Sequence, residues 1–235
     1  LLLISKILED NPDETYKYLV IDEPEQHLHP SLYIKVAKIL KKISTQGIKV
    51  IIATHSPVIT QYFIDDTNEL CKVVDGTFSF LPKIDELMTL SQSFDCYQKD
   101  ELKLKHYTAI ETKYSLYFRN FVLPIILKAL FCNCMLLGEG AIERKVFDVY
   151  LLKYGSTMKK NDVDYAIVDG KIFFPLVISV LKRIGTKAIT MHDLDDEGNP
   201  SHVYLNNTIG ELSDKLITFK PNIETFLGIT KEMCN

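Results

Sequence analysis

The feature that most restricts the fold of this chain is an alternation, met twice, of apolar strand-like runs with helical stretches, in which runs stop on acidic residues. In the first, "YKYLVI" leads straight into Asp22 and Glu23, and "SLYIKVAKILKKI" carries apolar residues at Leu32, Val36, Ile39, Leu40 and Ile43 before "IKVIIAT". Helical spacing between two continuous apolar runs predicts strand, helix, strand, with both strands fully buried. That order makes a right-handed parallel unit. "ELCKVVDGTFSFL" then predicts a hairpin turning at Asp75-Gly76. The second alternation is strand "CMLLG", helix "AIERKVFDVYLLKYG", strand "VDYAIV", helix "KIFFPLVISVLKRIG" and strand "TKAITM". It predicts a compact parallel α/β domain.

Two such units fit a chain of 235 residues that is 46% hydrophobic and 25% charged. The polar and aromatic stretch from Lys83 to Phe131, with "QKDELKLKHYTAIETKYSLYFRNF", reads as a helical connector between them. A formal charge of −4 gives no whole-molecule attraction for nucleic acid, so any such contact has to come from a local patch. Cys71, Cys96, Cys132, Cys134 and Cys234 are odd in number and lack paired metal spacing, which fits a reducing cytoplasm; Cys132 and Cys134 read as strand packing. The opening "LLLISKIL" reads as a helix remnant, and "FVLPIILKALF" is broken by Pro124 and Lys128, so no membrane segment is expected. A start without Met suggests a fragment with an upstream region.

Charges at the carboxyl ends of parallel strands face a ligand although the strands are buried. Asp22 is therefore placed to hold a magnesium ion through its water shell, and Glu23 to orient or deprotonate the water that attacks a phosphate. Thr54 and His55 end the neighbouring strand, so the imidazole reaches the same phosphate. An acid pair alone also suits a helix cap, and His27 and His29 could suggest a metal, but loop packing suits them better. "YLVIDEPEQHLHP" followed by "VIIATHSP" resembles the Walker B, D-loop and switch-histidine region of ABC-type ATPases. The resemblance implies that Asp22 is the Walker B aspartate, Glu23 the catalytic glutamate and His55 the switch histidine. No G-x-x-x-x-G-K-[ST] phosphate cradle occurs in the sequence. This chain is thus expected to bind ATP weakly or not at all, the missing half lying upstream in the parent protein.

The second alternation ends its strands on acids too. Glu139 follows "CMLLG", Glu143 falls in the first turn of the next helix, and Asp193 and Asp195 end "TKAITM", two apart so that both can face one side. If those strands are neighbours, four carboxylates meet at one sheet edge. Such repulsion, roughly 1 to 3 kcal/mol per pair, calls for a divalent cation, and hard oxygen donors point to magnesium or manganese, two ions in the phosphodiester case. Taken singly, Glu143 also suits any helix N-terminus and "DLDDEGNP" any acidic turn. E-G-x-x-E, "AIVDGKIFFPLVISVLKRIG" and "HDLDDE" are similar to the Toprim domain of the overcoming-lysogenization-defect (OLD) family, which joins an ABC-type ATPase to a C-terminal Toprim nuclease.

The resemblance implies an α/β chain in three parts: the end of an ATPase domain at 1–82, the connector at 83–131 and a Rossmann-like Toprim domain at 132–235. Glu139, Glu143, Asp193 and Asp195 are its implied catalytic metal ligands, with Glu224 of "PNIETFLG" as a fifth acid. The implied activity is a Mg2+- or Mn2+-dependent DNA endonuclease, coupled to ATP in the complete protein and serving defence against foreign DNA. Expected partners are DNA, a second copy of the chain and an accessory defence protein; the expected location is the cytoplasm. The competing readings are a non-cleaving repair or tethering ATPase and another Toprim enzyme, a primase or topoisomerase. Gly138 departs from the pattern, since a bulkier apolar residue is usual there, and the chain ends before the region expected to carry the family's late lysine. Lys171, Lys182, Arg183 and Lys187 are the basic residues expected to grip phosphates beside the site, ahead of Lys35, Lys38, Lys41 and Lys42 on the first helix.

Overall fold

The computed structural model describes residues 18–64, 69–74, 76–83, 85–87, 89–90, 118–195 and 198–228. The opening helix remnant, Asp75, Cys96, Cys234 and most of the helical connector lie outside the described residues. The chain divides into two compact units, one ending at Asn68 and the other starting at Glu69.

In the first unit β1 (Tyr18–Asp22) and β2 (Lys49–Ala53) pair in parallel, with Asp22 opposite Ala53. α1 (Tyr33–Ser44) makes the crossover, and α2 (Pro57–Phe63) follows β2. His29 starts the short turn before α1 by accepting from the Ser31 backbone N–H, which makes it a cap rather than a metal ligand. α1 buries Val36, Ala37, Leu40 and Ile43, and this row packs on Leu19, Ile21, Val50 and Ile52. Ile39, expected on that face, is exposed. The strands also differ from expectation. They alternate, with Tyr18, Val20 and Ile51 exposed, because α1 covers one face of the pair and the residues of the other face point away from it.

The second unit carries the hairpin of β3 (Cys71–Val74) and β4 (Thr77–Phe80), with Gly76 at φ 76° in its turn as the Asp-Gly signal predicts. Lys72 from this hairpin is buried and donates to the carbonyls of Ala129 and Cys132 and to the Thr186 hydroxyl, which uses all three of its N–H bonds. Burial lowers its pKa, and these oxygens are what make a buried ammonium tolerable.

The main sheet holds β5 (Cys134–Gly138), β6 (Val163–Ile167), β7 (Lys187–Asp193) and β8 (Lys215–Phe219) in the order β6-β5-β7-β8, all parallel. α3 (Leu123–Ala129) precedes β5, α4 (Ala141–Lys160) joins β5 to β6, α5 (Phe174–Arg183) joins β6 to β7, α6 (Pro200–Leu212) joins β7 to β8, and α7 (Ile223–Leu227) follows. α5 opens with Pro175 in its first turn and buries Phe174, Leu176, Val177, Ile178, Val180 and Leu181, apolar nearly all round because other elements surround it. Met135, Leu137 and Ala188 supply the core from the strands. Cys132 is buried, its thiol pushed up to about 11 by burial, as suits packing and not metal binding.

This order puts a switch point between β5 and β7. The chain leaves β5 toward β6 on one side and leaves β7 toward β8 on the other. The carboxyl ends of β5 and β7 therefore open a crevice, the place where ligands bind in such sheets.

Candidate functional site

Two sets of strand-end acids were expected, and the structure describes both. In the first unit, Asp22 ends β1 exposed, and Glu23 turns at φ 44° while its N–H donates to Ala53 O at 2.8 Å. No helix starts at the pair, so it is not a capping pair. His55 Nε2 stands 3.5 Å from Glu23 Oε1. Ser56 caps α2 through the Ile59 N–H with Pro57 next, which fixes "HSP" as a helix start. Glu25 was missed by sequence reasoning. Its Oε1 accepts from Thr54 Oγ1 at 2.5 Å and from the His55 N–H at 3.2 Å, tying the two loops together. The signal was the third acid of "DEPE", to which no role was assigned.

The second site is built from three loops of the main sheet. Gly138 ends β5 with no room for a side chain: a Cβ there would lie 2.6 Å from Glu143 Cβ and 2.8 Å from Phe147 Cε2. The glycine that looked like a departure is what lets the first turn of α4 close on the strand end. Glu139 follows, then Gly140, extended, opens α4. Glu143 is buried and its Oε2 accepts from the Gly140 N–H at 2.9 Å. This is half a capping box, since a glycine has no side chain to return the bond. Glu143 thus serves the helix start and the acidic cluster together.

The loop after β6 is fastened to the same place. Val168 N–H donates to Gly138 O and Gly170 N–H to Glu139 O, with Asp169 at φ 60° and Gly170 at φ 128°. That turn delivers Lys171, only 7% exposed, into the crevice, where its ammonium donates to the Asp193 carbonyl and, at 2.5 Å, to Asp195 Oδ2.

Asp193 is the last residue of β7, and its Oδ1 accepts from the Ile223 N–H at the start of α7. Asp195 lies past the strand end at φ 54°, its N–H donating to Pro221 O. The two aspartates reach the site by different routes rather than by the simple alternation expected of neighbours two apart. His192, between them and the core, is wholly buried against Phe174, and burial, reinforced by Lys171, lowers its pKa to about 4. It is a neutral packing residue at ordinary pH.

The carboxylates sense one another. Burial raises the Glu139 pKa to about 7 against the pull of Lys171, and Asp195, Glu143 and Asp193 add to the rise. Burial likewise raises Asp193 to about 6, opposed by the Ile223 N–H and aided by Glu143, Glu224 and Asp195. The condition that β5 and β7 be neighbours holds, with Gly138 beside Met191.

As the side chains stand, no three His, Cys, Asp or Glu among the described residues form a finished ion cage. Glu143 and Asp193 accept from backbone N–H groups, and Asp195 from Lys171. The donor set nonetheless fits a divalent cation. Glu139 Oε2 and Glu224 Oε2 are buried with no hydrogen-bond partner among the described residues, and every candidate donor is a hard oxygen.

The expected phosphate grip is corrected in part. Lys182 and Arg183 sit exposed in the last turn of α5 and Lys187 starts β7, at the sheet's amino edge, with β7, roughly 20 Å long, between them and the acids. Lys171 is the one basic residue of that group inside the site. On α1, Lys35, Lys38 and Lys42 are exposed, and Lys41 lies over the Tyr62 ring.

Comparison with known proteins agrees with this geometry. Residues 1–60 match the AAA_21 family, described as an AAA domain, and residues 130–195 match the family described as overcoming lysogenization defect protein-like, TOPRIM domain. The Old nuclease of Escherichia phage P2 is 25% identical over 219 residues, 92% of this chain. The chain spans about a third (34%) of the length of that curated relative. No helix among the described residues is long and apolar enough to cross a membrane. An AAA-domain match followed by an OLD-like Toprim match, with likeness to an Old nuclease along nearly the whole length, make this chain similar to the OLD family in the order of its parts.

Proposed function

We propose that this chain is the Toprim-bearing part of a metal-dependent DNA endonuclease, coupled in the complete protein to an ABC-type ATPase and serving defence against foreign DNA. The observation that carries the reading is the convergence of Glu139, Glu143, Asp193 and Asp195 at the switch point between β5 and β7, where Glu224 also acts electrostatically on Asp193.

Glu139, Glu143, Asp193, Asp195 and Glu224 would hold Mg2+ or Mn2+. When bound, such ions neutralise the phosphodiester and favour departure of its leaving oxygen. Glu139 has a second part. It also stands as the general base that takes a proton from the attacking water. The Ile223 N–H aims Asp193 and the Gly140 N–H aims Glu143, so two ligands are positioned before any ion arrives.

Asp22, Glu23 and His55 belong in this reading to the ATP site of the complete protein, with Glu25 holding the two loops in register. A second copy of the chain and an accessory defence protein are the partners it carries over. The test is nicking of supercoiled plasmid by the chain in Mg2+ or Mn2+. Loss in EDTA and at least a hundredfold loss in Glu139→Ala support the reading; undiminished nicking by that variant sinks it. Absence of any nicking by a folded, metal-saturated chain favours the non-cleaving ATPase instead.

A further inference from the structure

The mechanism above uses the carboxylates and leaves a buried ammonium among them. Lys171 cannot be a free phosphate grip, because it is 7% exposed and its donors meet the protein's own oxygens, the Asp193 carbonyl and Asp195 Oδ2. The chain goes to some length to put it there. Asp169 and Gly170 both take positive φ, 60° and 128°, and Gly170 N–H is bonded to Glu139 O, so the turn that aims the lysine is anchored on the acidic loop itself.

A buried ammonium is tolerated only with acceptors, and a buried carboxylate cluster only with cations. Lys171 meets both needs at once in the metal-free protein. The same contact sets up a conflict, since Asp195 is both its partner and a candidate ion ligand. A doubly charged ion and an ammonium sharing one carboxylate repel each other.

We propose that Lys171 is a built-in counter-ion that competes with the divalent cation for Asp195, so that an ion enters only as this lysine gives up its carboxylate. This rests on the metal-site reading above. The lysine weakens ion binding and in exchange keeps the metal-free crevice folded around its acids. Asp195 is the exchange point, because Glu143 and Asp193 are held by backbone N–H donors that do not repel a cation as an ammonium does.

The experiment measures uptake of Mn2+ by the full chain, followed by loss of the free-ion electron paramagnetic resonance signal. The native chain should bind saturably, Lys171→Met should bind at least tenfold more tightly, and Lys171→Arg, which keeps the charge, should not. Equal or weaker binding by a folded Lys171→Met chain overturns the proposal and leaves the metal site standing. If that variant fails to fold, the native chain decides: acylation of Lys171, read by mass spectrometry, should rise when Mn2+ saturates the protein, and unchanged labelling overturns the proposal. A native chain with no saturable Mn2+ uptake overturns the metal site and this inference together.

Discussion

The two strand-end acid sites begin alike and end differently. At β1, Asp22 stands exposed, Glu23 faces an imidazole whose side chain is 84% exposed, and the loops are tied by Glu25. At β5 and β7 the acids are drawn inward, a lysine is buried among them, and backbone N–H donors fix their directions. Exposed charges cost little to gather because water solvates them. Buried ones must bring their own counter-charge or wait for an ion. The second site therefore carries within its own unit what it needs to be aimed, whereas the first shows no phosphate cradle of its own, no G-x-x-x-x-G-K-[ST] occurring in the sequence.

The largest effect that sharpens this contrast is pH. Glu139 and Asp193 have folded-state pKa values raised to about 7 and about 6 from 4.5 and 3.8. A raised acid pKa stabilises the fold fully below the unfolded value and loses that contribution as pH climbs through the folded value. The metal-free chain should thus become less stable between pH 5 and pH 8, by roughly 3 kcal/mol at most from Glu139. Lys171, Asp195, Glu143 and Asp193 are the charged groups facing it, and Lys171 offsets part of the loss. Urea midpoints across that range should fall, Glu139→Gln should flatten the slope, and Mn2+ should restore stability at pH 8. A flat profile in the native chain removes the idea that this cluster is electrostatically loaded.

Next in size is Gly138→Ala. The added Cβ meets Glu143 Cβ and the Phe147 ring, neither of which is the loose end of a flexible chain. A loss of about 2 kcal/mol in stability is expected, together with weaker Mn2+ uptake because Glu143 is displaced. A neutral result would show that the α4 start is not clamped to β5.

The same glycine shows where the sequence was legible and where it was not. Strand and helix order, and the meeting of Glu139, Glu143, Asp193 and Asp195, followed from periodicity and from acids placed at strand ends. Close approach did not. Gly138 read as an anomaly because what it avoids, the Glu143 and Phe147 side chains, is visible only in three dimensions. Lys171 read as a phosphate grip beside the site; Asp169-Gly170 does signal a turn with positive φ, but the dipeptide does not say that the lysine after it points inward onto Asp195. Tyr18, Val20 and Ile51 read as buried because continuous apolar runs say nothing about which face a helix covers. Glu25 was passed over beside the more telling pair.

Glu25 gives a smaller test on the first site. Glu25→Ala removes acceptors from Thr54 Oγ1 and the His55 N–H, at a cost of about 1 kcal/mol in stability. His55 should then lose its register with Glu23. ATP should stabilise neither the native chain nor this variant in a thermal scan, because the phosphate cradle is not in this sequence. A micromolar ATP constant for the native chain would break the contrast between a self-contained site and an incomplete one.

The smallest effect belongs to the amino edge of the second unit. Lys182 and Arg183 were expected beside the acids and lie instead in the exposed last turn of α5, where cations suit the helix dipole. Their charge is screened within about 8 Å at physiological salt, well short of the strand length that separates them from the crevice. The double change Lys182→Ala with Arg183→Ala should alter DNA affinity less than about twofold at that ionic strength and leave the salt slope of binding unchanged. A slope reduced by the equivalent of two phosphate contacts would mean that DNA wraps from the carboxyl edge round to the amino edge. The substrate path would then be far longer than the acidic crevice alone requires.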